Sequence, residues 1–195
     1  MTVGEYAQMI NGEKWLINAM QCELIVIPVK NYDHNTTYSL PVKPSPNLPN
    51  DTAINLYPSL CLFEGTQESV GRGTATQFQV YGSPALPETG FNFVPEPNEG
   101  AKKPKYRGKT CYGEDLRKTG RLNRIRLQWL IKAYQNTTNK EQFFGSFFNK
   151  LAGNPSLQAQ IKAGMSEEAI RKGWKNDLEA FKITRKKYLI YDDTL

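Results

Sequence analysis

The chain has 195 residues, 39% hydrophobic and 23% charged. That is enough for one domain, or two small ones, around a buried core, and it is not the composition of a long disordered chain. The net charge of +6 is spread over residues 101–109, 117–126 and 182–188. No aromatic pattern interleaves with these bases, which argues against a nucleic-acid interface and leaves other anionic polymers open.

Thr2 and Glu5 form a T-x-x-E capping box, and Val3, Tyr6, Ala7 and Ile10 follow at helical spacing. The pattern predicts a helix from residue 3 to about 16, with Glu5 as a cap. The β-branched run CELIVIPV (22–29) reads as a strand buried on both faces; its apolar part, broken by Pro28, is far short of the ~18 residues of a membrane span. Residues 31–58 are proline-dense and irregular, and loops of that length are usually functional or disordered. Asp51 and Thr52 could cap a short helical turn within them. SLCLFEG (59–65) and QFQVYGSP (77–84) read as strands, residues 85–104 as loop, and YRGKTCYG (106–113) as an edge strand.

Beyond Gly120 the pattern becomes helical. Residues 121–135 carry a broad apolar face through Leu122, Ile125, Trp129 and Ala133, and the Phe-rich stretch 142–153 reads as a buried connector. Ser166, Glu167 and Glu168 start another helix, with acids where its dipole favours them. Its stripe Ile170, Trp174, Leu178 and Phe181 should pack on the sheet. Residues 188–191 close as a short strand or extended tail. The expected fold is α+β or α/β: a small mixed sheet flanked by helices, with long Pro/Gly-rich loops and a helical C-terminal third.

Cys22, Cys61 and Cys111 are scattered, and with the single His34 they make no zinc pattern, so neither metal nor cofactor is expected. Cys61 reads as a small core residue and His34 as a surface-loop residue. One histidine also leaves little to support a Ser-His-Asp or Cys-His mechanism.

The chemistry concentrates in LFEGTQESVGRGT (62–74). Glu64 ends an apolar run and precedes a glycine, a place where a carboxylate can be partly buried and hold a proton. Arg72 lies between Gly71 and Gly73, where backbone and guanidinium can both approach a ligand. The alternative is an ion pair of Arg72 with Glu64 or Glu68. Thr66, Ser69 and Thr74 offer hydroxyls that could equally stabilise the turn. Asn47 sits between prolines in PSPNLPN, and Tyr57 presents a ring that could stack on a sugar or simply pack.

In order, MTVGEYAQMI, PSPNLPN, YPSLCLFEGTQESVGRGTATQFQVYGSP and GMSEEAIRKGWKNDLEAFKITRKKYLIY resemble the C-terminal domain of the NamZ-type exo-β-N-acetylmuramidases, bacterial cell-wall glycosidases. The resemblance runs nearly end to end. It implies a single domain over 1–195, with a mixed α/β part (1–115) and a mainly helical part (116–195). It also implies release of N-acetylmuramic acid from the non-reducing end of peptidoglycan fragments, in a periplasmic or extracellular setting. The expected partners are muramic acid glycans and a Rossmann-like N-terminal domain that carries catalytic acids and is expected to be absent from this chain.

On that reading the chain forms one wall of a substrate cleft. Glu64 is its candidate catalytic carboxylate, since glycosidases use two. Arg72 would read the lactyl carboxylate, Asn47 the N-acetyl group, Tyr57 a sugar face, and Thr66, Ser69 and Thr74 hydroxyls. The competing expectation is a non-catalytic glycan-binding or scaffold module.

Overall fold

A computed structural model describes residues 1–88 and 90–192. The chain divides into two compact units: residues 39–170, and a discontinuous unit of residues 1–38 with the segment from 171 onward. The architecture is α+β.

In the discontinuous unit, α1 (Val3–Gly12) has the expected capping box. The Thr2 hydroxyl accepts from the Glu5 amide, and the Glu5 carboxylate accepts from the Thr2 amide at 2.6 Å. The helix is shorter than its pattern suggested. Glu5 also does more than cap. Fully buried, it accepts from His34 Nε2 at 2.9–3.0 Å and from the backbone of Ile190 and Tyr191. One carboxylate therefore ties together a helix start, the His34 loop and the C-terminal segment. His34 is not a surface histidine; its side chain is largely buried against Glu5.

Residues 22–29 do not form a strand. They enter no ladder among the described residues, and Ile25 and Ile27 are 80% and 85% exposed. β-Branched sequence sets an extended backbone, but a strand needs a neighbour to bond to. Here the Val29 amide donates to the Tyr191 hydroxyl instead. α8 (Lys175–Lys186) likewise buries no residue, and Leu178 and Phe181, expected to be packed, are exposed. Residues 188–191 form no strand.

The continuous unit holds the sheet and the larger core. Asn50 caps α2 (Asp51–Leu60) by accepting from the Ala53 amide, and a 3₁₀ turn, Cys61–Gly65, follows directly. The expected strand at 59–65 is thus helical. Ala53, Leu56, Leu60 and Phe63 recur three or four residues apart and are all buried, a periodicity that reaches across Pro58. A short apolar run fits both periods, and the cap upstream decides between them. Cys61, expected in the core, is half-buried.

The sheet has three strands in the order β1–β3–β2: β1 (Val80–Ser83), β2 (Asn92–Phe93) and β3 (Cys111–Asp115), antiparallel throughout. β1 falls within the expected 77–84 strand, and β2 lies in the stretch read as loop. β3 starts later than expected and is the central strand, not an edge. Gly82 and Gly113 face each other across β1 and β3. A Cβ on Gly113 would collide with the Tyr81 carbonyl oxygen, and one on Gly82 with that of Tyr112.

α3 (Gln128–Asn136) buries Trp129, Leu130, Ile131 and Ala133, while Ile125 lies before it and is exposed. Leu127 offers no side-chain cap; instead Glu167 accepts from the Leu127 and Gln128 amides at 3.1 and 2.9 Å. Glu167 opens α7 (Glu167–Gly173), so an acid expected to serve its own helix serves another. The Phe-rich connector forms α4 (Lys140–Phe143) and α5 (Phe148–Ala152), with Phe143 and Phe148 in the core and Phe147 exposed. α6 (Ser156–Lys162) buries Leu157 and Ile161.

Candidate functional site

The segment 62–74 leaves the 3₁₀ turn and folds into a compact loop stitched by its own hydroxyls. Thr66 Oγ1 donates to the Phe63 carbonyl at 2.8 Å and accepts from the Glu68 amide. Ser69 exchanges backbone bonds with Gly82 at 2.8 and 2.9 Å, and its hydroxyl accepts from the Gly71 amide. Thr74 Oγ1 bonds the Gly71 carbonyl, the Thr76 amide and the Thr76 hydroxyl. Gly71 and Gly73 have φ of +74° and +83°, which suits glycine. A Cβ on Gly73 would lie 2.6 Å from the Glu96 carbonyl oxygen, so the close approach made there is to another loop.

That loop, residues 94–105, crosses the segment and is pinned to it repeatedly. The Glu96 amide donates to the Gly73 carbonyl at 2.8 Å and Asn98 Nδ2 to the Thr74 carbonyl at 3.2 Å. Lys105 Nζ reaches the Thr66 and Glu68 carbonyls at 2.7 and 3.0 Å. Asn47 holds the far side through Nδ2 to the Gly100 carbonyl at 2.8 Å.

Between loop and segment lies a cavity of about 390 Å³, lined by Glu64, Glu68, Ser69 and Arg72 on one side and by residues 100–105 on the other. Arg72 Nη2 pairs with Glu64 Oε1 at 3.3 Å, both partly exposed, and its guanidinium lies 5.6 Å over the Phe78 ring. Lys102, Lys103 and Lys105 bring three more positive charges to the wall.

Glu68 is 1% exposed, and neither of its carboxyl oxygens reaches a partner at hydrogen-bonding geometry among the described residues. Burial pushes its pKa up to about 7, with the Ser83 hydroxyl and the Lys105 charge pulling back only part of the way. Burial also lowers the Lys105 pKa, although the residue as a whole is exposed, because its ammonium end is drawn against the protein.

Of the sequence-derived candidates, Glu64, Arg72 and Ser69 meet at this cavity. Thr66, Ser69 and Thr74 have hydroxyls committed to the turn. Asn47 is buried as a clip between loops, with Oδ1 unpartnered among the described residues. Tyr57 packs its ring 4.9 Å from Phe78, outside the cavity lining. Sequence reasoning weighed Glu68 only as an ion-pair partner for Arg72 and read the lysines at 102, 103 and 105 only as part of a basic stretch. The lysines had a signal: N-E-G, a turn sequence, runs directly into A-K-K-P-K. Among the described residues no group of three or more His, Cys, Asp or Glu could hold a metal ion, and no helix is long and apolar enough to cross a membrane.

The chain resembles known proteins along nearly its whole length. Residues 55–191 match the profile described as exo-beta-N-acetylmuramidase NamZ, C-terminal, and residues 1–52 match its N-terminal counterpart. The expectation that the N-terminal region is missing is therefore only partly right, because a portion of it occupies the first 52 residues. Peptidoglycan beta-N-acetylmuramidase NamZ of Bacillus subtilis (strain 168) is 32% identical over 217 residues, covering 98% of this chain and 50% of that protein. A crystal structure of a DUF1343 family protein from Bacteroides fragilis superposes with a TM-score of 0.93 at 47% identity, covering 100% of this chain and 56% of that one. A second DUF1343 family structure from the same organism, at 16% identity and a TM-score of 0.69, shares the fold. The chain spans about half the length of the relatives it matches. It belongs to the exo-beta-N-acetylmuramidase NamZ family.

Proposed function

We propose that this chain forms the recognition wall of a peptidoglycan β-N-acetylmuramidase, with the cavity between residues 64–72 and 100–105 receiving a terminal N-acetylmuramic acid. The carrying observation is the gathering of Arg72 and three lysines around one concave site. Muramic acid differs from its glucosamine neighbour by a lactyl carboxylate, and a cavity rich in guanidinium and ammonium donors discriminates on that charge. Glu64, paired to Arg72 at 3.3 Å, orients the guanidinium. In this reading the part of the relatives outside the matched half supplies the opposite wall and the remaining catalytic groups.

The test is a titration of isotopically labelled chain with N-acetylmuramic acid, with N-acetylglucosamine as control, followed by amide NMR. Shifts confined to residues 64–74 and 100–105, for the muramic sugar only, are the expected result. Equal shifts with both sugars, or shifts elsewhere, overturn it. Arg72→Lys keeps the charge but loses the planar fork, so it should weaken the preference for the muramic sugar by roughly tenfold.

The immediate partners of Glu64 favour a second reading for that residue. Its carboxylate is paired with a guanidinium, an arrangement suited to a non-catalytic glycan-binding module. Turnover of a muramic acid glycoside by the chain that is lost in Glu64→Gln would reject that module.

A further inference from the structure

The cavity's cations are not equivalent. Arg72 already has a carboxylate partner in Glu64. Lys102 and Lys103 are exposed and have no anchoring bond among the described residues. Lys105 is different: two carbonyls, 37 and 39 residues away in sequence, fix its ammonium at 2.7 and 3.0 Å. Carbonyl oxygens orient an ammonium without neutralising it, and no carboxylate lies within ion-pair distance of Lys105 among the described residues. The carboxyl in the wall whose charge bears on it most, Glu68, is buried, and neither of its oxygens has a hydrogen-bond partner among the described residues. A positioned cation beside a cavity, with one N–H direction still unused, is a socket for an anion.

We infer that Lys105, beside the Arg72 fork, supplies the ammonium that takes the ligand's carboxylate, and that Glu68 in the same wall sets the pH range over which the socket works. This rests on the cavity being the sugar site proposed above.

The groups whose charge bears on Lys105 are Glu68, Glu64 and Arg72. Those that feel Glu68 are Tyr81, Tyr106 and Cys111, each with its pKa raised first by burial, so all three stay neutral between pH 6 and 8. Glu64 and Arg72 are paired with each other at 3.3 Å. Glu68 is thus the group that changes charge there. Protonated, it leaves the ammonium uncompensated. Ionised, it supplies an internal counter-charge and competes with the ligand. A lactyl carboxylate is ionised throughout this range, so the dependence belongs to the protein.

The experiment titrates the whole chain with N-acetylmuramic acid and, separately, with lactate. Amide signals and the Lys105 side-chain ¹⁵Nζ signal are followed at pH 6 and pH 8 in wild type, Lys105→Met, Lys105→Arg and Glu68→Gln. Both ligands should move the Lys105 signal at pH 6. Lys105→Met should lose roughly tenfold or more in affinity, with partial recovery in Lys105→Arg. Wild-type affinity should fall roughly three- to tenfold from pH 6 to pH 8, and Glu68→Gln should remove that fall.

Muramic acid binding that leaves the Lys105 signal unmoved, or that survives Lys105→Met, overturns the inference while the sugar site stands. Lactate binding at Lys105 without muramic acid binding supports the socket and rejects the sugar. If neither ligand binds, both readings fail. A pH dependence unchanged in Glu68→Gln removes Glu68 from the account. Because the wild-type Lys105 signal is read directly, the result does not hang on whether Lys105→Met folds.

Discussion

Glu68 and Glu5 are both buried carboxylates, and their surroundings send them in opposite directions. Glu68 has its pKa raised from its ordinary 4.5 to about 7, chiefly by burial, so its folded form binds a proton that the unfolded chain gives up earlier. Stability from this group is complete below pH 4.5 and is lost as pH rises through about 7, a difference of about 3 kcal/mol. Glu68→Gln should flatten the decline of melting temperature between pH 5 and 8, measured by calorimetry, and should exceed wild type at pH 8. At Glu5 burial also pushes upward, but the Thr2 and Ile190 amides and His34 outweigh it, leaving the pKa at about 2. Its contribution is present above pH 4.5 and lost as pH falls toward 2. Glu5→Ala should cost about 3 kcal/mol at neutral pH by chemical denaturation, because it strands several donors at once. The capping role of Glu5 was legible from T-x-x-E, a local signal. Its bonds to His34 and Ile190 span 29 and 185 residues, and no spacing in the sequence encodes them.

At the scale of elements, the close crossing of β1 and β3 depends on two glycines meeting without side chains. Gly113→Ala would drive a methyl into the Tyr81 carbonyl. It should destabilise the protein by more than 2 kcal/mol on this ground, about what overpacking costs elsewhere. Exchange protection of the Tyr81 and Glu114 amides should fall with it. Glu167 sets a second dependence: by capping α3 from another helix it makes that N-terminus conditional on tertiary folding. Glu167→Ala should cost about 2 kcal/mol in denaturant unfolding, with α3 amides losing protection first. Helix starts with their own caps, at Thr2 and Asn50, could be read from sequence. α3 begins at a leucine with no cap of its own, which is why its pattern suggested a start several residues early. The runs at 22–29 and 59–65 misled for one common reason. An apolar run, β-branched at 22–29 and not at 59–65, reports a preference for burial or extension, while a ladder partner or an upstream cap settles which element forms.

For the whole molecule, the α+β class followed from the sequence because helical and strand patterns are segregated along it. The cavity was half legible. Glu64 and Arg72 stand eight residues apart in one glycine-marked loop, whereas Lys105 and Glu68 become neighbours only through bonds across 37 and 39 residues. The division into units has a consequence of timing. Residues 39–170 form a continuous unit that can fold as it leaves the ribosome, but Glu5, which joins α1 to the His34 loop, finds its remaining backbone partners only in the segment after residue 171. At ordinary synthesis speeds the intervening stretch takes on the order of ten seconds to emerge. For that interval Glu5 lacks Ile190 and Tyr191, and the first 38 residues are the natural clients of any chaperone that waits at the tunnel exit.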